Sequence, residues 1–116
     1  MSIPKTIQDV YAMTLDELRA ADAYMSSSAY RNALNKEPQD VQDEAAGIKA
    51  LTHKQRLELG NAVLEKIITP LREQEKELRK AIADLSETRK HIEKVKEFLE
   101  TLAKALEMVA KVLAVL

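Results

Sequence analysis

A seven-residue repeat of apolar side chains runs through the C-terminal half of this chain and constrains its fold more than any other feature. One series places Leu or Ile at every seventh position: Leu57, Leu64, Leu71, Leu78, Leu85, Ile92, Leu99, Leu106 and Leu113. A second series follows three residues later and is mostly apolar: Gly60, Ile67, Gln74, Ala81, Thr88, Val95, Leu102, Val109 and Leu116. Two apolar series with this spacing are the core positions of a heptad repeat. The sequence therefore predicts an α-helical coiled coil.

Pro70 lies inside the repeat and allows two interpretations. A single helix over residues 53–116, bent at Pro70, is favoured because the repeat keeps its phase across the proline. Such a helix would be about 95 Å long at 1.5 Å per residue. In the alternative, Thr69 is the N-cap of a new helix and Pro70 occupies its first helical position. A prolyl ring in a helix interior costs about 3 kcal/mol, whereas in the first turn it removes no helical hydrogen bond.

The N-terminal part carries shorter helical signals. Thr14-Leu15-Asp16-Glu17 resembles a capping box and predicts a helix from Leu15 to about Asn35. Pro38 is placed to begin a short helix that Gly47 would end, and Thr52 begins a second capping box. We therefore expect an all-α chain that assembles as a helical bundle. It would have a helical headpiece over residues 1–51 and a heptad-repeat coiled-coil stalk over residues 52–116, together forming one folding unit.

Length and composition exclude several classes of protein. A chain of 116 residues is sized for one domain. With 18 basic and 19 acidic residues, it lacks the positive charge that nucleic-acid binding requires. It has no cysteine, and therefore no disulfide or cysteine-ligated zinc site. No signal-peptide pattern is visible at the N-terminus, so a cytoplasmic location is expected.

The most apolar segment, Phe98–Leu116, has the length of a membrane span but not its composition. Glu100, Lys104, Glu107 and Lys111 interrupt it at intervals of four, three and four residues. On a helix these charges form one stripe, and each would cost roughly 2.5–3.5 kcal/mol near the centre of a bilayer. The segment is therefore predicted to be an amphipathic helix and not a transmembrane one.

The sequence offers little material for catalysis or metal binding. Glu87 and His91 are four residues apart, not three as in the Glu-x-x-His pairs of ferritin-like sites. His53 belongs to a capping-box pattern, which accounts for its position. No HExxH, glycine-rich phosphate loop or G-x-S-x-G motif is present. We therefore predict a protein that is not an enzyme and has no catalytic residue, cofactor or metal.

These observations favour a structural or interaction protein. The expected partner is a second copy of the chain or another helical protein, bound through the apolar repeat, because a long apolar stripe must be covered. The predicted oligomer interface consists of Leu57, Leu64, Leu71, Leu78, Leu85, Ile92, Val95, Leu99, Leu102, Leu106, Val109 and Leu113. The alternative function is a membrane-peripheral or membrane-active protein that inserts the apolar face of residues 98–116. It is less favoured because the chain has no Trp and a polar face of balanced charge.

Overall fold

Five α-helices make up most of residues 2–116, the part of the chain that the computed structural model describes. They are α1 (Lys5–Met25), α2 (Ser28–Leu34), α3 (Gln39–Gly60), α4 (Ile68–Arg89) and α5 (Val95–Leu113), with a 3₁₀ turn at Leu64–Lys66. Residues 2–116 contain no β-strand. The prediction of an all-α fold is confirmed.

The four long helices form a bundle in which each packs against two others. Both α1 and α5 contact α3 and α4. Helices α1 and α3 are antiparallel: Tyr11, early in α1, donates a hydrogen bond to the carbonyl of Leu59 at the end of α3, and Asp22 reaches Arg56. Helices α4 and α5 are antiparallel across the connection 90–94. The dimensions of the bundle are 51 × 23 × 19 Å.

The connection between α3 and α4 crosses one end of the bundle. These two helices are consecutive in sequence but are not neighbours, because each instead packs against α1 and α5. The crossing segment 61–67 includes the 3₁₀ turn and ends at Ile67, which is completely buried. As a result, α1 and α4 are neighbours that run in the same direction, and so are α3 and α5.

The heptad leucines of α4 and α5 form the centre of the core. Leu71, Leu78 and Leu85 of α4 are buried, as are Leu99 and Leu106 of α5. The four charged residues predicted to form a stripe on the last helix are all exposed. The amphipathic interpretation of this segment therefore agrees with the structure, in which its apolar face turns toward the bundle.

The predicted continuous helix over residues 53–116 is not confirmed. The chain leaves the helical conformation at 61–67 and at 90–94, so the repeat is divided among the end of α3, α4 and α5. Pro70 is the third residue of α4 and is buried. Backbone amides in a first turn have no partner within the helix, so a proline there removes no hydrogen bond. A new helix therefore begins near Pro70, as in the alternative, but its N-cap is Ile67, and the predicted cap Thr69 is its second residue.

The N-terminal helix boundaries also differ from those predicted. Helix α1 begins at Lys5, and Thr14 lies within it, not at its start. The helix expected to continue to Asn35 ends at Met25, and the Ser27 hydroxyl caps α2 by accepting a hydrogen bond from the amide of Tyr30 at 3.2 Å.

In α3, one predicted boundary is off by one residue and two are wrong. The helix begins at Gln39, one residue after the predicted start, so that Pro38 is its N-cap, and it continues through Gly47 and Thr52 to Gly60. The Thr52 hydroxyl donates to the carbonyl of Ile48, 2.8 Å away, so it does not cap a helix. Helix α3 also runs across residue 51, where the headpiece was expected to end. Packing against α1 and α5 favours one long helix here and outweighs the local boundary signals.

Candidate interaction surface

Most of the predicted oligomer interface lies inside the chain's own core. The residues of that set that are buried are Leu71, Leu78, Leu85, Val95, Leu99, Leu102, Leu106, Val109 and Leu113. Leu64 is half-buried, while Leu57 and Ile92 are 45% and 40% exposed. In this structure the repeat is therefore covered by helices of the same chain, and a partner could reach most of it only if the bundle opened.

The apolar face of residues 98–116 is also directed inward. Phe98 is 1% exposed and packs edge-on against Tyr24, with 4.9 Å between ring centroids. No helix within residues 2–116 combines the length and the apolar character needed to cross a membrane. Insertion of this face into a membrane surface would require α5 to leave the bundle.

Two ion pairs fix α1 against its neighbours and so hold the bundle in register. Glu17 accepts two hydrogen bonds from Arg89 of α4, from Nε at 2.7 Å and from Nη2 at 3.1 Å. These bonds to Glu17 raise the pKa of Arg89 and outweigh the opposing effect of burial. The sequence pattern around Glu17 predicted a helix cap. It did not indicate the ion pair with Arg89, which is distant in the sequence.

Asp22 forms the second connection, from α1 to α3. Its carboxylate accepts hydrogen bonds from Arg56 and from His53 Nδ1, the latter at 3.1 Å. Burial alone would raise the pKa of Asp22, but the hydrogen bonds and positive charge of these two partners hold it below its ordinary value. These contacts fix the orientation of α3 relative to α1. They therefore also fix the opposite face of α3, which adjoins α5.

On that face, α3 and α5 form a shallow groove of about 240 Å³. We call it the α3–α5 surface. It is lined by Leu51, Lys54, Gln55, Glu58, Ala110, Leu113 and Ala114. Leu51 is 41% exposed, and Val115 and Leu116, which follow Ala114 in the chain, are 56% and 58% exposed. Three large apolar side chains thus face solvent at or next to one groove.

Gln55 gives this groove an unusual polar feature. The residue is only 6% exposed, and its Oε1 atom has no hydrogen-bond partner among residues 2–116. A buried acceptor without a partner costs about 1–3 kcal/mol, and most buried polar groups in native proteins are paired. Because the Oε1 atom is itself buried, it is not part of the exposed lining of the groove.

The charges at the rim of the groove balance each other. Lys54 and Glu58 are four residues apart on α3, with 3.9 Å between Nζ and Oε1, and both are exposed. A pair this open to water contributes little to stability. For a binding partner, the pair would provide one positive and one negative group beside the apolar lining of the groove.

The sequence contains a signal for the buried face of α3 that our prediction of its helix boundaries missed. Ile48, Thr52, Gln55 and Leu59 follow one another at intervals of four, three and four residues, which is the spacing of a buried helical stripe. The predicted helix start at Thr52 interrupted that stripe, so Leu51 and Gln55 were not placed on a common helix. Of the predicted interface residues, only Leu113 lines the groove.

Each of the two histidines lies next to acidic side chains. His91 lies between Glu87 and Glu93, with its ring nitrogens 3.5 and 3.6 Å from their carboxylate oxygens, and His53 is paired with Asp22. Within residues 2–116 there is no group of three or more His, Cys, Asp or Glu residues that could hold a metal ion.

Comparisons with models of known protein families, with curated proteins and with solved structures find no match to this chain.

Proposed function

We propose that this protein is a non-enzymatic interaction module that assembles with a second copy of itself through the α3–α5 surface. The observation that carries the proposal is the exposed side chain of Leu51 in the groove, with the exposed side chains of Val115 and Leu116 next to it. Covering these side chains would remove their apolar surface from water, which favours association.

A second copy suits the groove because its rim carries one positive and one negative group, Lys54 and Glu58. In a two-fold symmetric dimer each subunit presents the same patch to the other. Every contact between two different residues therefore occurs twice, once in each direction. Lys54 of one copy can then face Glu58 of the other, while the apolar groups meet at the centre. Charged groups at the rim of such an interface set its register and contribute less to its affinity.

The test compares two leucines on the same helix. Leu51→Glu places a charge in the groove, whereas Leu57→Glu places the same charge on the exposed face of α3, at a side chain of similar exposure (45% against 41%). We expect light scattering over a tenfold concentration range to give about twice the 13.0 kDa chain mass for the wild type and for Leu57→Glu. Leu51→Glu should give the mass of one chain, because a buried unpaired charge opposes association.

Circular dichroism on all three proteins serves as the control, since both substitutions replace exposed side chains and should leave the helices intact. A wild-type mass of 13.0 kDa throughout the range would contradict the proposal. Equal loss of the dimer in both folded variants would also contradict it, because the effect would then not be specific to the α3–α5 surface.

A further inference from the structure

The connection 90–94 between α4 and α5 consists of residues that are compatible with a helix, although the chain turns there. Its sequence is Lys-His-Ile-Glu-Lys and contains neither Gly nor Pro. Lys and Glu are good helix formers, whereas Gly and Pro are the residues that most often end a helix. The local sequence therefore does not require the chain to leave the helical conformation at this point.

The heptad repeat passes through this connection without a change of phase. Leu85 of α4, Ile92 of the connection and Leu99 of α5 are seven residues apart. Leu85 and Leu99 are buried, whereas Ile92 is 40% exposed. A turn between two separate helices does not need this spacing, but a single helix through 90–94 would place all three side chains on one face. The sequence therefore suits a second arrangement in which α4 and α5 are continuous.

The side-chain contacts that hold the turn are weak. His91 lies 3.5 Å from a carboxylate oxygen of Glu87 and 3.6 Å from one of Glu93, and the three side chains are 43%, 67% and 71% exposed. Ion pairs this open to water contribute little to stability. In a continuous helix the contact with Glu87, four residues away, would be kept, and only the one with Glu93 would be lost.

The backbone of the connection would gain hydrogen bonds in a continuous helix. Among residues 2–116, the amides of Ile92 and Glu93 have no backbone acceptor, and the N-cap of α5, Lys94, provides no side-chain cap. In a helix the first two amides would donate to the carbonyls of Thr88 and Arg89, four residues earlier. Continuity would thus pair groups that the ends of two separate helices leave without helical partners.

We propose that residues 90–94 are a hinge at which two copies of this chain exchange α5. In the exchanged dimer, residues 68–113 form one helix, and the α5 of each copy occupies in the other bundle the place that its own α5 has here. The contacts of α5 are kept, including the hydrogen bond between the hydroxyls of Thr88 and Thr101, which are 2.8 Å apart. Exchange of an identical element between protomers is a low-cost route to a dimer.

The partner is a second copy because the site that α5 leaves is the core of the bundle itself. Phe98, Leu102 and Leu106 of α5 are buried in that core, and another α5 carries the same side chains at the same spacing. Exchange requires α5 to leave its bundle, so refolding at high chain concentration favours the exchanged dimer and dilution favours the closed bundle. The inference does not depend on the α3–α5 surface, because a dimer formed there keeps each α5 in its own bundle.

A pair of cysteines distinguishes the two forms. Thr88→Cys and Thr101→Cys place two thiols where the hydroxyls meet, and the chain has no other cysteine. The disulfide forms within one chain in the closed bundle and between two chains in the exchanged dimer. The double variant also carries Leu51→Glu, to remove the proposed α3–α5 dimer. It is unfolded and reduced, refolded at micromolar or millimolar chain concentration, oxidised, and separated by non-reducing gel electrophoresis.

We expect single chains after refolding at micromolar concentration and a covalent dimer after refolding at millimolar concentration. Ile92→Pro should abolish the dimer, because a proline in a helix interior clashes with the preceding turn. The closed form accepts it: the amide of Lys94 donates to the carbonyl of His91 at 3.0 Å, so Ile92 is the second residue of a turn, where proline is favoured.

Two further substitutions at Ile92 are matched controls that need no special backbone angle. Ile92→Ala removes the same side chain but favours a helix, so it should keep the covalent dimer. Ile92→Gly is suited to a turn and weakens a helix, so its dimerisation constant should be about tenfold lower than that of Ile92→Ala. Circular dichroism on each variant confirms that the helices are intact.

Two outcomes would overturn the proposal. One is a disulfide that forms only within single chains after refolding at millimolar concentration. The other is an equal yield of covalent dimer from Ile92→Pro and Ile92→Ala, or from Ile92→Gly and Ile92→Ala if the proline variant does not fold. If the cysteine pair without Leu51→Glu is a dimer in solution but carries only disulfides within single chains, the exchange is contradicted and the α3–α5 dimer is supported.

Discussion

Glu17 and Asp22 connect α1 to two different helices, and they do so with different degrees of burial. The side chain of Glu17 is 8% exposed and that of Asp22 is 13% exposed. Each is held by an arginine distant in the sequence, Arg89 and Arg56 respectively. Removing one partner of such a pair leaves an unsatisfied charge, which costs far more than the pair itself contributes.

Asp22→Asn should lower the free energy of unfolding by about 1–3 kcal/mol at pH 7. The pKa of the native carboxyl lies below its ordinary value of 3.8, so its contribution is fully present above pH 3.8 and is lost as the pH falls through the native pKa. Urea denaturation at several pH values should therefore show a constant difference between wild type and variant above about pH 5, and a shrinking one below 3.8.

Asp9→Asn is the matched control, since Asp9 is an exposed acidic residue on the same helix. It should change the free energy of unfolding by no more than about 0.5 kcal/mol at any of these pH values. A difference for Asp22→Asn that persists unchanged at pH 2 would show that the carboxylate charge is not what stabilises this contact.

At the scale of the element, α3 shows which local signals decide a helix and which do not. A start near Pro38 was predictable because proline is common at the beginning of a helix, although Pro38 itself is the N-cap and not the first helical residue. Its passage through Gly47 was not, because glycine is compatible with both a helix interior and a helix end. An added Cβ at Gly47 would meet no atom within 4 Å.

Gly47→Ala should therefore stabilise the protein by about 0.5–1 kcal/mol, because alanine loses less conformational freedom in a helix and has room here. Thermal or urea denaturation measures the effect. The reverse change at the adjacent exposed position, Ala46→Gly, should destabilise by a similar amount. Destabilisation by Gly47→Ala would instead favour the interpretation in which Gly47 ends a short helix.

The helices of the C-terminal half show where sequence reasoning reached its limit. The repeat correctly indicated which faces of α4 and α5 are buried, since Leu78 and Leu102 are completely buried. It did not indicate the connection 90–94, which contains neither Gly nor Pro. A heptad pattern specifies a buried face but not whether the same chain or another covers it. For the same reason, the groove at Leu51 could be recognised only once α3 had been placed beside α5.

For the whole molecule, the structure and the rod-like prediction differ in shape. The Cα radius of gyration is 14.5 Å, whereas a straight helix of about 95 Å alone would have a radius of gyration of about 27 Å. Small-angle X-ray scattering on Leu51→Glu, the variant expected to be monomeric, should therefore give a radius of gyration close to that of the bundle. A value above about 25 Å for a single chain would favour the extended helix.

The parallel pairing of α1 with α4 has a consequence for the chain as it is synthesised. Glu17 leaves the ribosome 72 positions ahead of Arg89, the residue that will hold it. At roughly 5–20 residues per second, several seconds pass between the two events. During that interval α1 and α3 can pair, but the side of α1 that will face α4 stays uncovered. During synthesis, the surface of α1 that packs against α4 therefore stays exposed to solvent until the C-terminal helices have been made.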